Sequence, residues 1–212
     1  YAATRCVVTS GDQRVDIDTE AALARALITV EQVPECEAIN GTRVELHGVD
    51  LPDLGTRVEE LCLGFPVAVL FNGQPLKRPL AEGHLATQAS PIGAVHLAGT
   101  LDGKYTHETM VFLQGFCVLK PTYCLRDELN VVHLDSRQFM ARLPDRDKLI
   151  DEDVQRKRID AELKACWRNT LEIARTRLSP ERFVEIYYAV MRGWGQLDLL
   201  NDLDVLPAEL CD

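Results

Sequence analysis

Short apolar runs separated by turn-forming residues occupy the first two thirds of the chain. Their alternation or continuity predicts strands, over residues 5–9, 14–18, 42–47, 67–71, 94–99, 106–113, 116–119 and 131–134. Glycine-containing turns between neighbouring runs predict hairpins, at Ser10-Gly11-Asp12, Asn72-Gly73 and Asp102-Gly103. Residues 67–71 are apolar at every position, which predicts a buried strand, and the runs between residues 94 and 119 predict a meander.

The last third of the chain follows a helical period instead. Between residues 151 and 178 apolar side chains recur every three or four positions, which predicts one long amphipathic helix. The triplet Ser179-Pro180-Glu181 predicts the start of a second helix. Serine is a favoured cap, proline suits the first turn and glutamate complements the positive end of the helix dipole.

Two shorter helices are expected before the last third. One is predicted over residues 51–64. The other is predicted over residues 20–27 with Thr19 as its cap, although a strand over residues 28–33 is an alternative. Many short strands followed by helices predict an α+β fold, with mostly antiparallel sheets, helices on one face and a helical C-terminal third.

Composition and charge exclude several classes of protein. The 212 residues are 46% hydrophobic and 26% charged, as in ordinary globular proteins, and the net charge of -10 argues against binding to nucleic acid or to an anionic membrane. No apolar run approaches the roughly 20 residues that span a bilayer, and residues 1–10 lack the pattern of a signal peptide. We therefore expect a cytoplasmic protein. Because Tyr1 leads directly into a predicted strand, we interpret the chain as part of a longer protein.

Cysteine and histidine give no sign of a metal site. The seven cysteines form no Cys-x-x-Cys pair and lie mostly in apolar runs, which suits reduced thiols. The five histidines are scattered, and no spacing of histidine and cysteine is typical of zinc. We expect no bound metal in this chain.

The order of several short motifs resembles a known family. These motifs are GTRVEL at 41–46, VEEL at 58–61, GFPV at 64–67, Asn72-Gly73, GFCV at 115–118, residues 129–135 and LPDRDKL at 143–149. Their order is similar to that in Hsp90-type members of the gyrase, Hsp90, histidine kinase and MutL ATPase superfamily, over about residues 30–195. The resemblance implies that residues 1–64 are the end of an ATPase domain with its connecting helix. It further implies that residues 65–195 are a transducer domain of the ribosomal S5 domain 2-like fold and residues 196–212 an acidic tail.

The same resemblance implies a function and a set of site residues. In the family, a turn of the transducer domain carries an arginine or lysine that contacts the γ-phosphate of ATP. Arg146 is at the matching position and Lys148 is the second candidate, while Gly41 and Thr42 match the segment that leaves the ATP site. The full-length protein would bind ATP and Mg²⁺, and its partners would be an upstream ATP-binding domain and either a second copy or another protein. Residues 1–40 contain none of the family's nucleotide-site motifs, so this chain alone is not expected to hydrolyse ATP.

Other interpretations of these residues stay open. Arg146 lies among Asp145, Asp147 and the acidic start of the long predicted helix, where it can serve as a counter-charge. Gly41-Thr42 can be a simple turn before a strand. On that basis the alternative function is a non-catalytic α+β protein-interaction or scaffold domain. A third hypothesis is a thiol hydrolase that combines Cys117 or Cys124 with His133 and Asp135.

Overall fold

The chain folds into an α+β structure of two compact units, residues 1–54 and residues 55–212. The structure is a computed structural model that describes residues 3–121, 129–144 and 146–205. The predicted fold class is confirmed, because the sheets are mostly antiparallel and the C-terminal part is helical. The transducer assignment and its domain limits stay a prediction.

The first unit is a four-stranded antiparallel sheet with one short helix. Its elements are β1 (Arg5–Ser10), β2 (Gln13–Asp18), α1 (Thr19–Leu23), β3 (Val30–Gln32) and β4 (Thr42–His47), and the strand order is β3-β2-β1-β4. The predicted hairpin between β1 and β2 is confirmed, with Gly11 at φ 59° in its turn. The capping prediction is wrong, because the Asp18 side chain, not Thr19, accepts a hydrogen bond from the Ala21 N–H at 2.8 Å. The helix predicted over residues 20–27 and the strand predicted over residues 28–33 as its alternative both form. Each is shorter than predicted, as α1 and β3.

The second unit is built on a five-stranded sheet followed by two long helices. It begins with α2 (Leu54–Leu61), whose first residue is the last of unit one, and a small hairpin of β5 (Leu70–Phe71) and β6 (Gln74–Pro75). The sheet contains β7 (Gln88–Ser90), β8 (Gly93–His96), β9 (Thr109–Leu113), β10 (Phe116–Leu119) and β11 (Asn130–Leu134), in the order β10-β9-β11-β8-β7. The helices are α3 (Glu152–Arg177) and α4 (Pro180–Gly193).

Both C-terminal helices were predicted, and so was the turn between them. The Ser179 side chain accepts a hydrogen bond from the Arg182 N–H at the start of α4, as its position before Pro180 predicted. The apolar stripe of α3 faces the core, where Ile159, Leu163, Trp167 and Leu171 are 2% exposed or less. Local capping and periodicity were therefore sufficient to locate these elements.

Two strand predictions in the second unit are wrong. Residues 67–71 do not form a buried strand, since only Leu70–Phe71 is extended and Val67 is 61% exposed. The turn at Asn72-Gly73, with φ 50° and 78°, folds this segment back on β6 in a hairpin of two residues per strand, so it does not enter the large sheet. The predicted meander is also interrupted, because β11 lies between β8 and β9, antiparallel to β8 and parallel to β9.

The large sheet has an apolar core on each face. Strand residues such as Val95, Val111 and Val132 pack with α3 and α4 on one face. On the other face, Phe112 and Val131 pack with a smaller cluster that includes Leu80. Burial on both faces explains the central place of β11, whose residues are all buried or half-buried.

No helix in the described parts of the chain combines the length and the apolar character that a membrane span requires.

Candidate functional site

A short loop with strand-like ends carries Arg146. Ala141 and Leu149 form an antiparallel bridge, and the Arg142 N–H donates to the Lys148 carbonyl at 2.8 Å. The Arg146 N–H donates back to the Arg142 carbonyl at 3.0 Å. Leu149 is buried in the core beside α3, which fixes the base of the loop. The loop therefore presents Arg146 near its tip and Lys148 on its return segment.

The backbone at Arg146 is in an unusual conformation. Its φ is 54°, in the left-handed region that side chains with a Cβ enter at a cost of roughly 1–2 kcal/mol. The guanidinium carbon lies 5.9 Å from the centroid of the Phe116 ring on β10, within the range of a cation–π contact. Left-handed non-glycine residues are concentrated at functional sites, because such a cost persists only where the surroundings impose it. Five other described non-glycine residues also have a positive φ, so the conformation alone does not mark Arg146 as a site residue.

Arg146 and Lys148 line the same cavity, which has a volume of about 620 Å³. Its walls come from α2, from β10 and the residue after it, from the loop and from the first turns of α3. The lining residues are Arg57, Glu60, Leu61, Phe116, Cys117, Val118, Leu119, Lys120, Arg146, Asp147, Lys148, Glu152 and Arg156. All of them belong to the second unit.

The polar wall of the cavity carries an excess of positive charge. Among the described lining residues five side chains are cationic and three are acidic, although the whole chain has a net charge of -10. Arg156 is neutralised by an ion pair with Glu152 at 3.0 Å. The other four cations, namely Arg57, Lys120, Arg146 and Lys148, form no ion pair with any residue that the structure describes. An anion in the cavity would therefore meet cations that are not paired with any described acidic residue.

Part of the cavity wall is apolar. Phe116 contacts Phe65 edge to face, with ring centroids 5.1 Å apart, and Val118 and Leu119 are buried. Leu61 of α2 is 55% exposed and adds to this wall. A low-dielectric wall strengthens the attraction between the cations and a bound anion.

The other two predicted site residues lie in the first unit. Gly41 and Thr42 are at the start of β4, where the Thr42 hydroxyl is 2.9 Å from the Ser10 hydroxyl. The Gly11 N–H donates to the Gly41 carbonyl at 3.2 Å. These bonds hold the end of β4 against the turn of the first hairpin. They are consistent with the simple turn, and the nucleotide-linked role of Gly41 and Thr42 stays a prediction.

The thiol-hydrolase hypothesis does not fit the sheet. Cys117 on β10 and His133 on β11 are both paired with Phe112 of the strand between them. Since adjacent strands are about 4.8 Å apart, the thiol and the imidazole are separated by roughly twice that distance, with the Phe112 ring between them. His133 instead stacks on Phe112 and bonds the Leu80 carbonyl at 2.8 Å. Cys124 lies outside the described residues.

Two titratable groups near these strands have altered pKa values. Burial lowers the pKa of His133, against the opposing effects of its bond to Leu80 and the charge of Glu82. Hydrogen bonds from Arg137 lower the pKa of Asp135 to about 2. His133 is therefore held neutral and Asp135 ionised near neutral pH.

The sequence analysis missed the remaining basic residues of the cavity. Arg57 belongs to α2 with Glu60 and Leu61, and their spacing of three and four residues already places them on one helix face. Lys120 and Arg156 gave no comparable signal, because their approach to the loop depends on how β10 and α3 pack.

Comparison with known proteins assigns no family. No protein-family model matches the chain, and a search of curated proteins gave no match.

The residues of the cavity fit a phosphate group better than a metal ion. Arginine binds phosphate oxygens in a bidentate manner, and lysine binds them as a point charge. Among the described residues, no group of three or more His, Cys, Asp or Glu side chains is arranged to hold a metal ion. The Mg²⁺ that the family resemblance implies is therefore assigned to none of the described residues.

Proposed function

We propose that the chain is the transducer portion of an ATP-dependent conformational clamp of the Hsp90-like ATPase superfamily, in which Arg146 senses the γ-phosphate of ATP. The observation that carries the proposal is that Arg146 and Lys148, which the resemblance selects, line one positively charged cavity of an acidic chain.

In the proposed mechanism, the transducer domain brings the cation of Arg146 to ATP that is bound by another domain. ATP, bound by an upstream ATP-binding domain, supplies a terminal phosphate whose charge is lost on hydrolysis. Arg146 can donate paired N–H bonds to that phosphate, and Lys148 can add a further cation. Such a contact exists only when the domains close, so bound ATP shifts the population toward the closed state. Each 1.4 kcal/mol of contact energy shifts that equilibrium by about tenfold.

The proposal includes a division of the chain and a setting. Residues 1–64 are the end of the ATPase domain with its connecting helix, residues 65–195 an S5 domain 2-like transducer and residues 196–212 an acidic tail. The parent protein is a cytoplasmic ATPase that acts as a dimer or with another protein. Hydrolysis requires the upstream domain, so the chain alone lacks activity.

The test uses a protein extended upstream by one ATPase domain. Mg-ATP is titrated calorimetrically and ATP turnover is measured for the extended protein, for Arg146→Ala and for Lys148→Ala. We expect turnover to fall by at least tenfold in Arg146→Ala and less in Lys148→Ala. Lys157→Ala is the control, because Lys157 is exposed on α3 outside the cavity. Unchanged turnover in Arg146→Ala would refute the sensing role.

A scaffold without a nucleotide role is the second candidate, and the first unit provides an observation in its favour. One face of its sheet is apolar, and Val30, Val44 and Leu46 are each more than half exposed there. Exposed apolar surface of this kind is typical of protein contacts. An extended protein that lacks the upstream nucleotide motifs, binds no Mg-ATP and loses a protein partner on Val44→Glu would favour the scaffold.

A further inference from the structure

Four cationic side chains of the cavity have no ionic partner within the described chain, and only two of them were selected by the family resemblance. Arg57 extends from α2, Lys120 follows β10, and Arg146 and Lys148 come from the loop. Arg57 and Lys120 are exposed and make no ion pair to a described residue. Their position on the cavity wall is therefore not explained by internal salt bridges.

The number of charges indicates the charge of a suitable ligand. Glu152 is already paired with Arg156, which leaves Glu60 and Asp147 as the acids of the described lining without an ion pair to a described residue. Within the described lining, four cations and two acids have no ion pair to a described residue, and this excess favours an anion with two or more negative charges. A monovalent anion would leave part of the positive charge uncompensated.

The volume of the cavity indicates the size of the ligand. The four cations come from three separate segments of the lining, namely α2, the residue after β10 and the loop. The volume of about 620 Å³ lies within the range of about 300–1,000 Å³ that is usual for small-molecule sites. It exceeds the need of a single phosphate group. A chain of linked phosphates satisfies the size and charge together.

We propose that this cavity is a binding site for a linear polyphosphate group, held by Arg57 and Lys120 in addition to Arg146 and Lys148. The inference concerns the cavity of the proposed sensor, but it requires neither an upstream ATP-binding domain nor a closed clamp. The same phosphate chemistry is present in inorganic polyphosphate and in the phosphate chain of a nucleotide. The apolar wall with Phe116 and Leu61 offers a surface for an aromatic base in the second case.

The test is calorimetric titration of sodium tripolyphosphate into the 212-residue protein at low ionic strength. We expect saturable binding that weakens by about tenfold or more in Arg57→Gln and in Lys120→Gln, because each variant removes a charge-assisted bond. The control is Lys157→Gln, an exposed residue outside the cavity, which keeps wild-type affinity. Thermal melting of each variant checks that it folds.

Titration with ATP and with AMP distinguishes the two sources of the phosphate chain. Tighter binding of ATP than of tripolyphosphate identifies a nucleotide, and equal binding identifies the polyphosphate alone. In either case AMP is expected to bind much more weakly, because it lacks the linked phosphates.

Two outcomes would overturn the proposal. One is the absence of saturable tripolyphosphate binding in the folded protein. The other is an equal loss of affinity in Lys157→Gln, which would reduce the effect to nonspecific charge. Either result leaves the sensor role to be decided separately by ATP turnover of Arg146→Ala in the extended protein, so the two proposals fail independently.

Discussion

The guanidinium carbon of Arg146 lies 5.9 Å from the Phe116 ring centroid, while the Arg146 backbone has a φ of 54°. The contact thus comes from a residue whose backbone would suit glycine better. Arg146→Gly and Arg146→Ala both delete the contact, so its loss cancels when the two variants are compared. We expect the glycine variant to be more stable than the alanine variant by about 0.5–1 kcal/mol, as judged by urea unfolding.

Lys148 provides a matched control in the same loop. It is not among the residues of positive φ, so glycine gains nothing there and mainly adds freedom to the unfolded chain. Lys148→Ala should therefore be more stable than Lys148→Gly, the reverse of the order at Arg146. The same order at both positions would show that the Arg146 backbone carries no strain.

The sequence predicted those parts of the fold that local interactions determine. The cap at Ser179, the stripe of α3 and the turn at Asn72-Gly73 each depend on residues close together in the chain. The insertion of β11 between β8 and β9 depends instead on packing between distant segments, and no local sequence pattern predicts it. The apolar run at residues 67–71 shows the same limit, because hydrophobicity alone did not bring it into the sheet.

The candidate site shows a similar division. Arg146 and Lys148 were selected by their place in a motif, and the structure puts both on one cavity. Lys120 and Arg156 belong to distant segments whose approach is a property of the packed core. The net charge of -10 gave no indication of an anion site, because a net charge does not reveal a local positive surface.

The turn before β9 depends on a glycine that has no room for a side chain. Gly103 has a φ of 70°, and a Cβ built on it would lie 1.7 Å from the backbone oxygen of Ile186 in α4. Gly103→Ala must therefore displace the turn from the helix, at an expected cost of more than about 2 kcal/mol in urea unfolding. The control is Gly83→Ala, where nothing lies within 4 Å of the new Cβ and the φ is not positive. A change below about 0.5 kcal/mol is expected at Gly83.

Asn130 joins two segments from inside the sheet. It is fully buried, its Oδ1 accepts from the Ala98 N–H and its Nδ2 donates to the Thr106 carbonyl, both at 3.2 Å. Asn130→Asp keeps the acceptor but places a buried carboxylate oxygen against the Thr106 carbonyl. We expect a loss of about 1–3 kcal/mol at pH 7 in urea unfolding.

Measurements at two pH values separate the effect of the lost hydrogen-bond donor in Asn130→Asp from an effect of side-chain shape. Protonation restores a donor to the aspartate side chain, so the deficit of Asn130→Asp relative to wild type should shrink between pH 7 and pH 5. Asn201→Asp, in an exposed turn, is expected to change stability little at either pH. A deficit that is independent of pH would contradict the assigned hydrogen bonds.

His133 makes the stability of the second unit sensitive to mild acid. Its ring stacks on Phe112 with centroids 5.2 Å apart, and Nε2 donates to the Leu80 carbonyl, which can only accept. Burial lowers the pKa of His133 below its ordinary value of 6.5. The unfolded chain therefore takes up the proton first as the pH falls. The contribution of neutral His133 is complete above about pH 6.5 and is lost as the pH falls from there toward the folded pKa.

The expected result is a fall in the free energy of unfolding between pH 7 and pH 5.5, with a slope of at most about 1.4 kcal/mol per pH unit from this one group. Asp135, with a pKa of about 2 in the folded protein, loses its contribution only below about pH 4, so it does not act in this window. In His133→Gln the side-chain amide can still donate to Leu80 but does not titrate, so the slope should flatten. An equal slope in both proteins would mean that His133 is not held neutral by burial.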